Sequence, residues 1–444
     1  MLFISKLFKS KEETITLGNY LFLLGVFLLP SALPISGIFF LISIFISYFK
    51  NKNISFKDKF NYPLFISIGL ILFSSFNITY ITKSELLSSY DTNLLWLNLF
   101  NWIPMFFLFW GFQVYLVNSS QRLIFTKYLI AGTFPVIISF IFQKYLAWFG
   151  PFETFFGLIV WFQKPINLTG GYTGLFSNPN YAGIWLAISF PFALFLLKKS
   201  KNNLREKLFI LIFCISIPVM TYFTGSRNSF LGLLIAFITL FGFRKFIFSV
   251  FIILLAFIFN NLSTFFTYNQ SNLKNFFEIE LVEKFLNIDY FSAPRIEIWK
   301  SALSRISERP ITGWGPSTFS YLHLEKNNSS LISDNIIEAY HSHNMVIELA
   351  HNFGIPLSII LVSSITFLMF MAWKKIFIKF EQNDEFLLHK AWFSASLIVV
   401  FSHQSDITYY DGKISILICI LFAGLKCIID EKNSKEKFIY TKKS

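Results

Sequence analysis

Four short polar clusters interrupt an otherwise apolar sequence, and their residue types are those of anion binding and proton transfer. The first is GLFSNPN at 174–180, which holds Asn178 and Asn180. The second is TGSRN at 224–228, centred on Arg227. The third sets Arg295 one helical turn before Trp299 and continues in GWGP at 313–316. The fourth is HSHN at 341–344, with His341, His343 and Asn344.

Each cluster needs an element to aim it. Arg227 follows a Gly-Ser turn and opens an apolar run, so it stands in the first turn of a helix. Free N–H groups and the helix dipole favour anions there. A guanidinium adds bidentate donors that fit a diphosphate. An interfacial arginine that snorkels to lipid headgroups is the other reading, and the commoner one for such a residue alone. Arg295 opens an expected helix over 294–306. Ser292 is its N-cap, Pro294 suits its first turn, and Trp299, Ala302, Leu303 and Ile306 form its apolar face; Pro310 ends it. An arginine there opposes the helix dipole unless an anion neutralises it. A solvated charge paired with Glu297 or Glu308 is the alternative. Trp299 either packs this helix or offers a sugar a platform.

His341 and His343 are two residues apart, so in an extended segment they share a side. Asn344 or Ser342 can cap the helix that follows. A helix N-terminus keeps a histidine neutral, and a neutral imidazole can act as general base on a hydroxyl. Capping without chemistry is the alternative. A zinc site from His341, His343 and either His351 or His323 lacks a compact tetrahedral signature. The outer loops carry no Asp-x-Asp pair, glycine-rich phosphate loop or Gly-x-Ser-x-Gly. Neither a metal nor a cofactor is expected.

The elements that position these clusters cross a membrane. Of 444 residues, 54% are hydrophobic and only 14% charged, with a mean hydropathy of +0.57. Soluble domains carry about 25% charged residues, so an ordinary soluble enzyme and a disordered chain are both excluded. Apolar runs at 17–31, 34–49, 63–81, 94–118, 123–148, 180–197, 207–223, 227–243, 245–260, 345–373, 388–402 and 411–429 predict an all-α polytopic membrane protein with about 12 transmembrane helices. Gly354 and Pro356 divide the 345–373 run into a stub and a spanning helix. No small-x-small cleavage site follows the first run, which favours a membrane helix over a signal peptide.

The net charge of +13 would suggest nucleic acid in a soluble protein. Here 26 of the 38 Lys and Arg fall in alternate loops on the side of the N-terminus. The positive-inside rule then puts both termini in the cytoplasm and all four clusters on the outer face. The expected partners are membrane lipids rather than nucleic acid. Three cysteines in apolar runs imply no disulfide framework. The organisation is N-terminal membrane helices over 1–150, helices with the Gly-Ser-Arg turn over 151–260, a large outer loop with short helices over 261–343, and C-terminal helices with a tail over 344–444. Phe152 to Phe162 are expected along the membrane interface. Glu348 is the main acid inside a helix, and that scarcity argues against an ion-coupled pump.

The ordered motifs GLFSNPNYAG, TGSRNSFLGL, PRIEIWKSAL with PITGWGP, and HSHNMVIELAHNFGIPL resemble the O-antigen ligase / O-antigen polymerase superfamily of bacterial envelope glycan enzymes. The likeness runs from about Gly174 to Leu361, and the first 150 residues match by hydropathy alone. It implies a large periplasmic loop, an undecaprenyl-diphosphate-linked glycan donor, and transfer to an acceptor hydroxyl on a glycolipid, glycan or protein. That places the chain in the bacterial inner membrane with a periplasmic active site, and it needs no nucleotide sugar or metal. Carried over by motif, the functional residues are Arg227, Arg295 and His343, with His341 a rival for the histidine role. His341, Asn344, Asn178, Asn180 and Trp299 are expected to touch substrate. Direct displacement would invert the anomeric centre. Ligase, chain polymerase and protein O-oligosaccharyltransferase activities all fit the likeness. A non-catalytic glycolipid transporter is the reading from another class; it would depend on Glu348 rather than on the outer Arg and His.

Overall fold

The computed structural model describes residues 11–50, 58–81, 90–200, 203–245, 247, 289–323, 339–379 and 384–431. Eight of its helices are long and apolar enough to cross a membrane: Lys59–Ile81, Asn93–Tyr115, Ser119–Tyr145, Pro179–Lys199, Leu204–Phe223, Ile355–Ile378, Asp384–Ser402 and Gly412–Asp430. Three shorter apolar helices, Thr16–Leu28, Leu33–Tyr48 and Arg227–Phe241, accompany them. The chain is an all-α polytopic membrane protein. The helix expected at 245–260 lies almost wholly outside the described residues.

In chain order the helices are α1 (Lys11–Leu28), α2 (Leu33–Lys50), α3 (Tyr62–Phe76), α4 (Asn93–Asn98), α5 (Ile103–Phe112) and α6 (Ser119–Tyr145). A hairpin of β1 (Phe152–Thr154) and β2 (Ile159–Trp161) follows, then α7 (Ile166–Thr169), α8 (Pro179–Lys199), α9 (Leu204–Phe223) and α10 (Arg227–Phe241). The rest are α11 (Asp289–Glu308), α12 (Met345–Phe353), α13 (Ile355–Lys374), α14 (Asp384–Ser402) and α15 (Gly412–Asp430). Helices α8, α14 and α15 form the centre. Trp392 of α14 is buried against α15, where its indole N–H donates to the Leu421 carbonyl at 2.7 Å. Gly424 admits that ring, since a Cβ there would meet it at 2.1 Å. Trp185 of α8 is likewise buried and donates to Thr133 of α6 at 3.2 Å. In a medium without water each buried indole needs such a partner.

Residues 152–161 form an antiparallel hairpin, with Phe152 opposite Trp161 and Thr154 opposite Ile159. One local expectation changes. Helix α11 begins at Asp289, so Ser292 and Pro294 lie inside it instead of opening it, and Arg295 sits in its second turn. Its buried face is Ile298, Ala302 and Ile306, at i, i+4 and i+8, and Leu303 points to the exterior. Phe319, Ala339 and the adjoining Ile347 of α12 cover that face.

The break at Gly354 occurs as its sequence predicts and has a clear purpose. Gly354 has φ +89°, and a Cβ would lie 2.0 Å from the Ile311 carbonyl. The close approach lets residues 310–315 join the end of α12. Ile355 N–H donates to the Pro310 carbonyl, Trp314 N–H to that of His351 and Gly315 N–H to that of Asn352, each at 2.8 Å. Gly354→Ala combines a strained φ with a backbone clash, worth at least about 1–3 kcal/mol. A melting temperature lowered by several degrees is expected for the purified variant, and an unchanged one would contradict this role.

Candidate active site

Three helix N-termini meet at one end of the bundle. Asn178 caps α8, its side chain accepting from Asn180 N–H at 2.8 Å. Ser226 caps α10 by accepting from Ser229 N–H, which leaves Arg227 as the first residue of that helix. Asn344 caps α12, accepting from Val346 and Ile347 N–H at 2.9 and 3.2 Å. The first two lie close together, because a Cβ on Gly171 would meet the Thr224 carbonyl at 2.0 Å and one on Gly183 the Ser229 hydroxyl at 2.5 Å.

The segment between α14 and α15 gathers these pieces. Asn228, beside Arg227, donates to the Ser402 carbonyl at 2.8 Å. Met345 N–H donates to the His403 carbonyl at 2.9 Å, and the Asn344 amide to that of Gln404 at 3.0 Å. Asp406 then faces His343, with Oδ1 and Nδ1 3.2 Å apart. The Trp299 indole donates to the Ser342 carbonyl at 2.9 Å, which brings α11 against the histidine segment. Trp299 is thus a fastener of the large loop. Arg295, one turn earlier, acts electrostatically on Asp406. Glu308 pairs with Arg305 at 3.3 Å rather than with Arg295.

Hydrogen bonding separates the two histidines. His341 Nδ1 accepts from His343 N–H at 3.3 Å, so in that arrangement its proton is on Nε2. His343 directs Nδ1 at a carboxylate, so Nδ1 carries the proton there and Nε2 is the free base. His343 is 29% exposed and Asp406 6%, so the base can reach a ligand while its partner stays covered. His343 also has φ +54°, a conformation a non-glycine residue adopts at a cost.

Burial alone would raise the Asp406 carboxyl. The hydrogen bond from His343 and the charges of His343, His341 and Arg295 outweigh it and hold the group below the ordinary carboxylate range. Burial, then the neighbouring His343, pushes His341 below the usual histidine value, against the pull of Glu348 and Asp406.

His341, His343 and Asp406 bring three possible metal-ligand atoms within 4.8 Å of one another. The Nδ1 atoms of both histidines already serve the internal hydrogen bonds, so the cluster reads as a hydrogen-bonded triad. The other histidines weighed for a zinc site stand elsewhere. His323 and His351 both pack on Phe319, at ring distances of 5.5 and 5.2 Å.

Asp406 is the candidate site residue that motif reading missed. It lies in a short polar break, HQSD at 403–406, and only its sharing a face with HSHN could have singled it out. Beneath the site lies an apolar cavity of about 530 Å³. Its lining runs from Met345, Val346, His403 and Gln404 beside the histidines to Lys59 and Phe60 at the far end of the bundle.

Residues 209–362 match the family model described as O-antigen ligase. The match supports the O-antigen ligase/polymerase superfamily. It covers Arg227, Arg295, Trp299 and the whole HSHN cluster, while Asn178 and Asn180 precede the O-antigen ligase segment and Asp406 follows it. The superfamily is one of glycosyltransferase-like enzymes whose substrates are, in general, lipid-linked glycans and their acceptors. No curated protein matches the chain.

Burial pushes His403 down to about 4, although Asp406 opposes the shift, and it lowers His351 as well. Such groups bind protons more readily in the unfolded chain, so their contribution to stability is complete above about pH 6.5 and falls as pH drops below it. The melting temperature is expected to decline from about pH 7.5 to 5.5 and to decline less in His403→Gln. Identical profiles for the two proteins would contradict this reading.

Proposed function

We propose that this chain is a lipid-linked-glycan transferase of the O-antigen ligase type. It moves a glycan from an undecaprenyl-diphosphate-linked donor to an acceptor hydroxyl at the periplasmic face of the inner membrane, with both termini in the cytoplasm. The observation that carries this reading is the accessible His343 backed by buried Asp406, on a segment that also holds the helix begun by Arg227.

In the proposed reaction His343 Nε2 takes the proton of the acceptor hydroxyl. The hydroxyl oxygen attacks the anomeric carbon, and the bond from that carbon to the diphosphate oxygen breaks with its electron pair. Arg227 and Arg295, with the N–H groups of nearby helix termini, neutralise the departing diphosphate. Asp406 keeps the imidazole in the reactive tautomer and stabilises the imidazolium that forms. His341 presents Nε2–H as a donor, which leaves the base role to His343. Asn178, Asn180 and Asn344 border the anion site through their helix N-termini. The apolar cavity fits a hydrocarbon chain beside the headgroup chemistry. One displacement inverts the anomeric centre. No step uses a metal.

His343→Ala is expected to lower transfer by roughly 10² or more in a folded, reconstituted protein. Arg227→Ala and Arg295→Ala are each expected to lower it by about 10²–10³. Asp406→Asn, which preserves shape but loses the charge, should lower kcat without a matching change in KM. Full activity in the His and both Arg variants would refute the mechanism. Dialysis against EDTA should leave the rate unchanged; loss of activity restored by a divalent cation would instead make the His341–His343–Asp406 cluster a metal site. Glycan analysis of a deletion strain separates the acceptors. Long chains stranded on the lipid carrier indicate a ligase, and single repeat units on the acceptor indicate a polymerase.

A further inference from the structure

Glu348 stands where two strands of the site must be held together. It lies in the first turn of α12 with 1% of its surface exposed. Its carboxylate accepts from both sides. Oε2 takes the Ser342 N–H at 2.9 Å, and Ser342 is the residue between the two histidines. Oε1 takes the Tyr410 hydroxyl at 2.7 Å and the Asn352 amide at 3.1 Å. Tyr410 belongs to the segment that carries Asp406, its ring 5.9 Å from that of His341. Asn352 also donates to the Tyr410 hydroxyl at 3.3 Å.

We propose that Glu348 is a positioning residue that fixes the histidine segment against the Asp406 segment and so sets the His343–Asp406 distance. The inference rests on the transferase reading for its kinetic consequences but not for its geometry. A carboxylate is the group suited to the place. Its two oxygens accept from three donors, and an amide would turn one of these acceptors into a donor. Asp would keep the charge but fall a methylene short. Removing a partner from a buried charged network leaves unsatisfied groups, whose cost exceeds that of an exposed pair. The network also bears on His343 itself. A residue at φ +54° persists only where its surroundings over-determine it, and the bond at Ser342 N–H fixes the peptide between His341 and Ser342, one residue before it.

The negative charge of Glu348 has a second effect. The ionisable groups acting on His341 are His343, Glu348 from α12 and Asp406 from the segment after α14, and the Tyr410 ring lies 5.9 Å from it. Without the Glu348 charge His341 is harder to protonate.

The test uses the full chain in lipid nanodiscs, with kcat, KM and amide hydrogen exchange over 341–345. Glu348→Gln should lower kcat by about tenfold or more, leave KM little changed and speed exchange at Ser342. Glu348→Asp and Tyr410→Phe should lower kcat as well, because each weakens the same network. Wild-type kcat and exchange in folded Glu348→Gln would overturn the proposal, as would wild-type kcat in Tyr410→Phe should the Gln variant not fold. The transferase reading fails separately, if wild type transfers no glycan or His343→Ala matches it. Exchange at Ser342 still decides the role of Glu348 in that event.

Discussion

Between α14 and α15 the chain leaves α-helical geometry for a few residues, most of them buried or half-buried. Every carbonyl and carboxylate freed by that break must find a donor. The donors come from the other polar clusters. Asn228 takes the Ser402 carbonyl, Met345 N–H that of His403, the Asn344 amide that of Gln404, and His343 faces Asp406. Satisfying one interruption of hydrogen bonding therefore draws together segments that lie more than a hundred residues apart in sequence. The large loop joins the same assembly through Trp299 and Ser342. Site assembly and backbone satisfaction are one event.

Unusual backbone occurs at the same place. His343 and Gly354 both have positive φ, and the Gly171 and Gly183 backbones pass their neighbours with no room for a Cβ. Such features cost energy and persist where surrounding contacts repay it. The repayment here comes from caps on three helices and from the buried carboxylates Asp406 and Glu348. Among the described residues, Glu348 illustrates why an intramembrane acid cannot be assigned by type alone. In the sequence it resembles a transport determinant. In the fold it lies at the site end of the bundle, with Ser342, Asn352 and Tyr410 around it.

Hydropathy made most of the architecture legible, because span length and backbone satisfaction leave helices as the only local choice for long apolar runs. Glycine and cap chemistry located the Gly354 break and the first residue of α10, since both depend on neighbours within a few residues. The start and apolar face of α11 were less accessible. Its burial depends on where Phe319 and Ile347 meet it, which rotates the covered face from Leu303 to Ile298. Asp406 was hidden for a related reason. Its proposed role arises from pairing with His343 at a separation of 63 residues, and no local pattern announces that pairing. In sequence His343 was preferred by motif with His341 its rival; the backbone hydrogen bond to His341 Nδ1 distinguishes them in the fold.

The central claim is a single displacement by a hydroxyl that His343 activates while the arginines hold the departing diphosphate. The anomeric configuration of the product tests it most directly. Purified protein in nanodiscs would receive a lipid-linked glycan of defined anomeric configuration and an acceptor, and the new linkage would be determined by NMR. The account expects complete inversion. Retention would require a covalent glycosyl intermediate and would contradict it.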